Sequence, residues 1–169
     1  MTQLPLQIDT PRLLLRQFRE QDLDAFAAMC ADADVMRHIG DGKTLDRATA
    51  WRSMAGMLGH WTLRGCGQWA IEERASGLLV GRAGFFDPEG WPGLELGWLL
   101  ARPAWGRGYA REAAEAALGV AAPLRQGREL ISLIRPGNER SIALARRLGA
   151  REDRCLDFMG QPCLVYVHA

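Results

Sequence analysis

An α/β domain, built on a central mixed β-sheet with helices on both faces, is what this sequence predicts. Two observations carry the prediction. The apolar periodicity switches repeatedly between the two-residue repeat of strands and the 3.6-residue repeat of helices, in the order β-α-α-β-β-β-α-β-α-β-β. Antiparallel hairpins flank a β-α-β unit within that order, so parallel and antiparallel pairs share one sheet and helices cover its faces. Length agrees: 169 residues suit one domain, spanning 1–169, which buries roughly 70% of the surface its unfolded chain exposes.

Residues 12–16, Arg-Leu-Leu-Leu-Arg, are a short apolar run behind Thr10 and Pro11, and read as a first strand with its charged ends in solvent. Residues 22–31 place Leu23, Phe26, Ala27 and Cys30 at helical spacing, with Arg19, Gln21 or Asp22 to begin the helix. Gly40-Asp41-Gly42 breaks the chain. Thr44 is the candidate N-cap of a second helix through about Arg64, with Trp51, Met54, Met57, Leu58 and Trp61 on its apolar stripe. Residues 68–72 and 78–86 form a hairpin around Ala75-Ser76-Gly77, and a loop rich in Pro and Gly over 87–93 leads to a strand over 94–100. Residues 108–121 are alanine-rich and helical, 129–134 form a strand, 138–148 a helix, and 151–158 and 164–167 the closing strands.

Twenty-one Lys and Arg against twenty Asp and Glu leave a formal charge of +1. Nothing global attracts the chain to nucleic acid or to a membrane surface. Cys30, Cys66, Cys155 and Cys163 stand far apart and read as reduced thiols. Met1 to Thr10 lack a basic region followed by an apolar run, and no stretch reaches 18 unbroken apolar residues, so the expected location is cytoplasmic. His38, His60 and His168 lie apart without ligand spacing, and no metal is expected.

The segment Trp105-Gly106-Arg107-Gly108-Tyr109-Ala110 sits between an apolar strand and a helix. Its glycines let the backbone approach a ligand, and the first free N–H groups of the helix suit a pyrophosphate, to which Arg107 and Arg111 could add charge. A dinucleotide fingerprint fails because Arg111 takes the place of the last glycine. A Walker loop at Gly42-Lys43-Thr44 fails because Arg37 stands where the earlier glycine is required. An ordinary strand-to-helix turn stays open.

Pro103-Ala104-Trp105-Gly106-Arg107-Gly108-Tyr109-Ala110, behind Glu95-Leu96-Gly97-Trp98-Leu99-Leu100, resembles the acetyl-CoA signature of the GNAT superfamily. Trp105 stands where the signature's core carries Gln or Arg, as in the branch with P-x-x-W-G-x-G-Y-A. Thr10-Pro11-Arg12-Leu13-Leu14-Leu15-Arg16 looks like that branch's opening strand, and Asn138-Glu139-Arg140-Ser141 with Leu148-Gly149-Ala150 looks like its N-x-x-S and L-G-F segments. The branch includes the ribosomal-protein N-terminal alanine and serine acetyltransferases. The resemblance spans nearly the whole chain and implies a GNAT-like fold.

That resemblance also implies an enzyme that moves the acetyl group of acetyl-CoA to an amine. Its partners are then acetyl-CoA and an acceptor, either a small molecule or a protein N-terminus; a homodimer is open. Glu95 is the candidate base, acting through water, against the alternative of a solvated strand glutamate. The backbone around Trp98, Leu99 and Leu100 is the candidate donor to the thioester carbonyl. The tyrosine that many members use as an acid falls at Ala145, and Ser141 is the substitute, against a plain role at the helix start. Asn138 is expected on the pantetheine amides or as a helix cap. Trp105, Gly106, Arg107, Gly108, Tyr109, Ala110 and Arg111 complete the expected cofactor contacts. The rival functions are a CoA-binding sensor without catalysis and a nucleic-acid module, the latter disfavoured by charge.

Overall fold

Alternating apolar residues, bounded by Gly and Pro turns, set the strands of the computed structural model, which describes residues 3–169. The start of the segment read for a leader, Met1 and Thr2, lies outside the described residues. Eight strands follow the chain: β1 (Ile8–Asp9), β2 (Leu13–Arg16), β3 (Gln68–Glu73), β4 (Leu78–Phe86), β5 (Leu94–Leu100), β6 (Leu130–Ile134), β7 (Arg151–Phe158) and β8 (Gln161–His168). They form one sheet in the order β1-β2-β3-β4-β5-β6-β8-β7, in which only β5 and β6 run parallel. The helices are α1 (Leu23–Ala31), α2 (Ala33–Met36), α3 (Arg47–Arg64), α4 (Tyr109–Gly119), α5 (Ala122–Arg125) and α6 (Glu139–Arg147). The two-residue β1 and the one-turn α2 and α5 are additions to the expected order, each too short to show a period.

Each face of the sheet has its own core. On one, α4 lies over Leu94 and Leu96 through Ala113, Ala114 and Ala117, all essentially unexposed, and small side chains let the helix sit close. On the other, α1 and α3 bring Phe26, Cys30, Ala50, Met54 and Met57 onto Ala70 and Leu99. Among the described residues no helix is long and apolar enough to cross a membrane.

Three local expectations need correction. The N-cap of α3 is Asp46, whose carboxylate accepts the Thr49 N–H at 2.7 Å, and not Thr44. Trp51 is 45% exposed, because the buried stripe of α3 runs through Ala50, Met54, Met57 and Trp61 and leaves position 51 on its flank. Arg16, expected in solvent, is 5% exposed. Its guanidinium forms two 2.8 Å bonds to Asp22 and one of 2.7 Å to Glu72, so the end of β2 is clamped to the start of α1 and to β3.

Burial works against the Asp22 carboxylate, but its bonds from Arg16 and from the Arg19 N–H outweigh that and hold its pKa below the ordinary value. The stability this contributes is present above the unfolded pKa near ~3.9 and is lost as pH falls through the folded value. Asp22→Asn leaves Arg16 short of its main partner and should cost about 3 kcal/mol or more at pH 7. In urea titrations the gap between parent and variant should narrow below about pH 4; a gap constant down to pH 3 would deny the pair this role.

Candidate active site

The parallel ladder between β5 and β6 holds only two residue pairs, Leu94 with Leu130 and Glu95 with Ile131, and then opens. The Ala101 N–H donates across to the Val80 carbonyl on the β4 side (2.9 Å). By strand alternation the main-chain groups of Leu96, Trp98 and Leu100 therefore face the opposite side, toward the opening. The Leu96 carbonyl is taken by the Ser132 hydroxyl at 2.7 Å and that of Leu100 by the Trp105 indole N–H at 3.0 Å. The Trp98 N–H lies between them, beyond the last paired residue, and points into the wedge.

On one side of the wedge lies a groove of about 1110 Å³. Gly106 and Gly108 turn the chain into α4 with φ of +74° and +79°, a region that L side chains enter only with strain. No side chain caps α4. Its first hydrogen bond runs from the Glu112 N–H to the Gly108 carbonyl (3.1 Å), so the N–H groups of Tyr109, Ala110 and Arg111 lack a helical acceptor. With the helix dipole they form an anion cradle, and Arg111 and Arg140 line the same groove. These features fit the pyrophosphate of CoA.

The turn is held from a distance. Arg12 donates to Glu112 at 2.7 Å and to the Arg107 carbonyl at 2.8 Å, while the Thr10 hydroxyl donates to Glu112 at 2.7 Å. The Tyr109 ring is flanked by the guanidinium groups of Arg12 and Arg107, 4.8 and 4.7 Å from its centre. Burial pushes the Glu112 carboxyl up, but the bonds from Thr10 and Arg12 win and hold it below its usual value.

On the other side of the wedge a cavity of about 810 Å³ lies between the sheet and α3 and is closed by the tip of the β7–β8 hairpin. Phe86, Trp91 and Phe158 line it, with Trp91 edge-on to both phenylalanines at 5.0 and 4.7 Å. Glu95 stands in this cavity and accepts the Trp91 indole N–H at 2.6 Å. Loss of solvent pushes its pKa up to about 7, against the lowering effects of the Trp91 bond, the Arg82 charge and the Leu133 N–H. A carboxyl with that pKa is part ionised near neutral pH and can take up a proton.

Trp98, Asn138 and Ser141 line both the groove and the cavity. The Ser141 hydroxyl accepts the Trp98 indole N–H at 3.2 Å, which leaves its own O–H free to donate. Asn138 caps α6, its Oδ1 accepting the Ser141 N–H at 3.3 Å, and keeps its amide donors. Of the other expected residues, Leu99, Leu100, Trp105, Gly106, Gly108, Tyr109, Ala110 and Arg111 line the groove. The Arg107 side chain does not join them; it turns to Glu73 at 2.9 Å. Ala145 is fully buried beside Tyr166, so the position at which the resemblance would place a tyrosine faces the core.

Several site-lining residues escaped the sequence reading. Arg140 stacks on the Trp105 ring at 4.3 Å, and its only signal was its place in Asn138-Glu139-Arg140-Ser141. Arg82 and Gln68 floor the cavity; a single basic residue inside an apolar strand was the available signal for Arg82. His38 and His60, set aside as isolated, line the cavity, where the His60 ring is held by the Cys66 carbonyl (2.7 Å) and the Asp87 N–H (2.9 Å). Among the described residues no group of three or more His, Cys, Asp and Glu side chains is placed to hold a metal ion.

Comparison with known proteins agrees with this geometry. The profile of the acetyltransferase (GNAT) domain family matches residues 12–151. A Bacillus subtilis protein of uncharacterised function, YkkB, is 30% identical over 165 residues, covering 93% of this chain and 92% of its own. The crystal structure of an acetyltransferase from Agrobacterium tumefaciens is 30% identical with a TM-score of 0.85, covering 100% of this chain and 96% of that one. RimL, a ribosomal L7/L12 α-N-protein acetyltransferase solved with coenzyme A, is 14% identical with a TM-score of 0.75, covering 98% and 96%; at that identity it shows the fold alone.

The raised pKa of Glu95 has a stability signature. The folded state holds its proton up to about pH 7, whereas the unfolded chain releases it near ~4.3. Stability is therefore fully present below ~4.3 and falls as pH rises through about 7, by roughly 3–4 kcal/mol at ~1.4 per unit. Glu95→Gln removes that penalty. In denaturant titrations the variant should match the parent near pH 4 and exceed it at pH 8; equal stability at both would mean that Glu95 ionises as a solvated side chain.

Proposed function

The chain belongs to the GNAT acetyltransferase family, and from that premise we propose that it is an acetyl-CoA-dependent N-acetyltransferase acting on a primary amine. The acceptor is a small molecule or a protein N-terminus. One observation carries the reading: the groove with the uncapped helix end and the cavity with Glu95 share a wall at Trp98, Asn138 and Ser141, at the open end of the β5–β6 ladder. Four free cysteines, three of them buried, accord with a reducing cytoplasm.

When bound, the coenzyme supplies an activated acetyl thioester. The chain's own residues supply the rest. The N–H groups at the start of α4, with Arg111 and Arg140, hold the phosphates, and the Asn138 amide holds the pantetheine arm. An amine of pKa near ~10.4 is almost wholly protonated at pH 7.4 and attacks only after losing a proton, a cost of roughly 4 kcal/mol. Glu95 accepts that proton, directly or through one water. The Trp98 N–H donates to the carbonyl oxygen as negative charge grows there. The Ser141 O–H donates to the departing sulfur. No metal enters this scheme.

A CoA-release screen across small amines and N-terminal peptides tests the reading. Gly108→Asp, which sets a negative charge in the anion cradle, should weaken CoA binding by about tenfold or more; unchanged affinity in a folded variant would move the cofactor elsewhere.

Glu95→Gln should lower turnover at neutral pH by about 10²-fold, with partial recovery at alkaline pH as free amine accumulates. Ser141→Ala should lower the chemical rate without that recovery. Parental rates in both variants across pH 6 to 9 would leave positioning of an already neutral amine as the source of catalysis. CoA binding without release on any amine would instead make the chain a sensor.

A further inference from the structure

The cavity beside Glu95 has three arginines on its lining, and they differ in what they already hold. Arg64 pairs with Glu89 at 3.6 Å. Arg135 donates to the carbonyls of Phe158, Gln161 and Pro162 and, at 2.8 Å, to that of Gly40. Arg82 donates to the Gln68 side chain alone, and among the described residues no carboxylate lies within ion-pair distance of it. A guanidinium carries five N–H donors. Arg82 lines the cavity, so the donors it does not use are available to a group bound there.

No side chain of β4 or β5 stands on this face between Arg82 and Glu95, where the paired residues are Gly84 and Gly97. The register pairs Glu95 with Phe86, Gly97 with Gly84 and Leu99 with Arg82, so these residues share one face. A Cβ on Gly97 would lie 3.1 Å from Gln68 Nε2 and 3.5 Å from Glu95 Oε1. A side chain at position 97 would press on both groups, so the glycine lets the Gln68 amide, which holds Arg82, and the Glu95 carboxyl face the same part of the cavity. Apolar rings, Phe86, Trp91 and Phe158, wall the Glu95 end. At about 810 Å³ the space is that of a small-molecule site.

We infer that the acceptor is a free amino acid with an apolar body, its amine directed to Glu95 and its carboxylate bound by Arg82. The inference rests on the reading of the chain as an amine acetyltransferase. Arg82 supplies a planar fork that matches a carboxylate with two N–H donors, and Gln68 holds that fork from behind. Transfer to such an acceptor forms the amide C–N bond as the thioester C–S bond breaks; of the two protons the ammonium gives up, one passes to Glu95 and the other ends on the departing CoA thiol, so the amine's charge is lost. The product keeps its carboxylate and its grip on Arg82.

The test compares acceptors that differ only in the acid. Phenylalanine against phenethylamine, and 4-(aminomethyl)benzoate against benzylamine, set amine and carboxylate at short and long separation. At least one acid should exceed its partner in kcat/KM by about 30-fold, the range for a charged hydrogen-bonded contact, and Arg82→Gln should bring that ratio toward one. Arg82→Lys keeps the charge without the fork, should fall between, and carries the comparison if the glutamine variant fails to fold.

Amines that lack the acid reacting as well as those that carry it would overturn the inference and leave the enzyme reading intact. So would a preference that survives in Arg82→Gln, or one confined to peptides with an acidic first residue. If no amine releases CoA, the enzyme reading fails. Calorimetry on the CoA-loaded protein then decides Arg82 by itself, through tighter binding of N-acetylphenylalanine than of N-phenethylacetamide, abolished in Arg82→Gln; equal binding would overturn it.

Discussion

The parallel pairing of β5 with β6 stops after two residues, and the rest of the site exists because it stops. A sheet that parts in its interior leaves main-chain donors and acceptors without the ladder, and each buried one left unpaired costs about 1–3 kcal/mol. The chain meets this with side chains. Ser132 donates to the Leu96 carbonyl, so its oxygen can only accept from His168 Nε2 at 2.8 Å. That fixes the His168 proton on Nε2 and leaves Nδ1 the unprotonated, unpartnered atom. Burial, with the Arg125 charge, holds the His168 pKa down to about 4, so the ring stays neutral and the splint persists at neutral pH. His168 thereby orients the hydroxyl that satisfies the Leu96 carbonyl where the ladder ends.

A second dependence runs from the start of the chain to the glycine turn. Glu112, in the first turn of α4, collects the Thr10 hydroxyl, the Arg12 N–H and the Arg12 side chain. Negative charge there is favourable to the helix but works against the anion cradle formed by the free N–H groups beside it. Arg12 neutralises it and binds the Arg107 carbonyl as well. The opening strand motif and the glycine turn, about a hundred residues apart in sequence, are thus one mechanical unit.

Local information made most of the fold legible. β4 and β5 have the bounds their alternation predicts, because Gly and Pro clusters end them sharply. The cap of α3 was misplaced by two residues, since Thr44 and Asp46 both qualify and only the approach of the chain to α1 chooses. Arg16 and Arg82 were not legible. A charged residue on a strand reads as solvent-facing, and what buries Arg16 is a pair of carboxylates 6 and 56 residues away. The length of a parallel ladder is a tertiary quantity too; the wedge entered the sequence reading only through the resemblance that named Trp98 to Leu100. The reading of the glycine turn placed the Arg107 charge toward a pyrophosphate, but its side chain pairs with Glu73 instead.

Trp98 forms part of the wall between groove and cavity, its indole N–H on Ser141 and its ring packed against the cores at α4 and α6. Of the six tryptophans in the chain, Trp61 and Trp69 are sealed in the core, while Trp91 borders only the cavity and Trp105 only the groove. The polarity felt by each indole therefore answers to a different compartment. A change of polarity confined to the cavity would reach the Trp91 indole, one confined to the groove would reach Trp105, and either would reach Trp98.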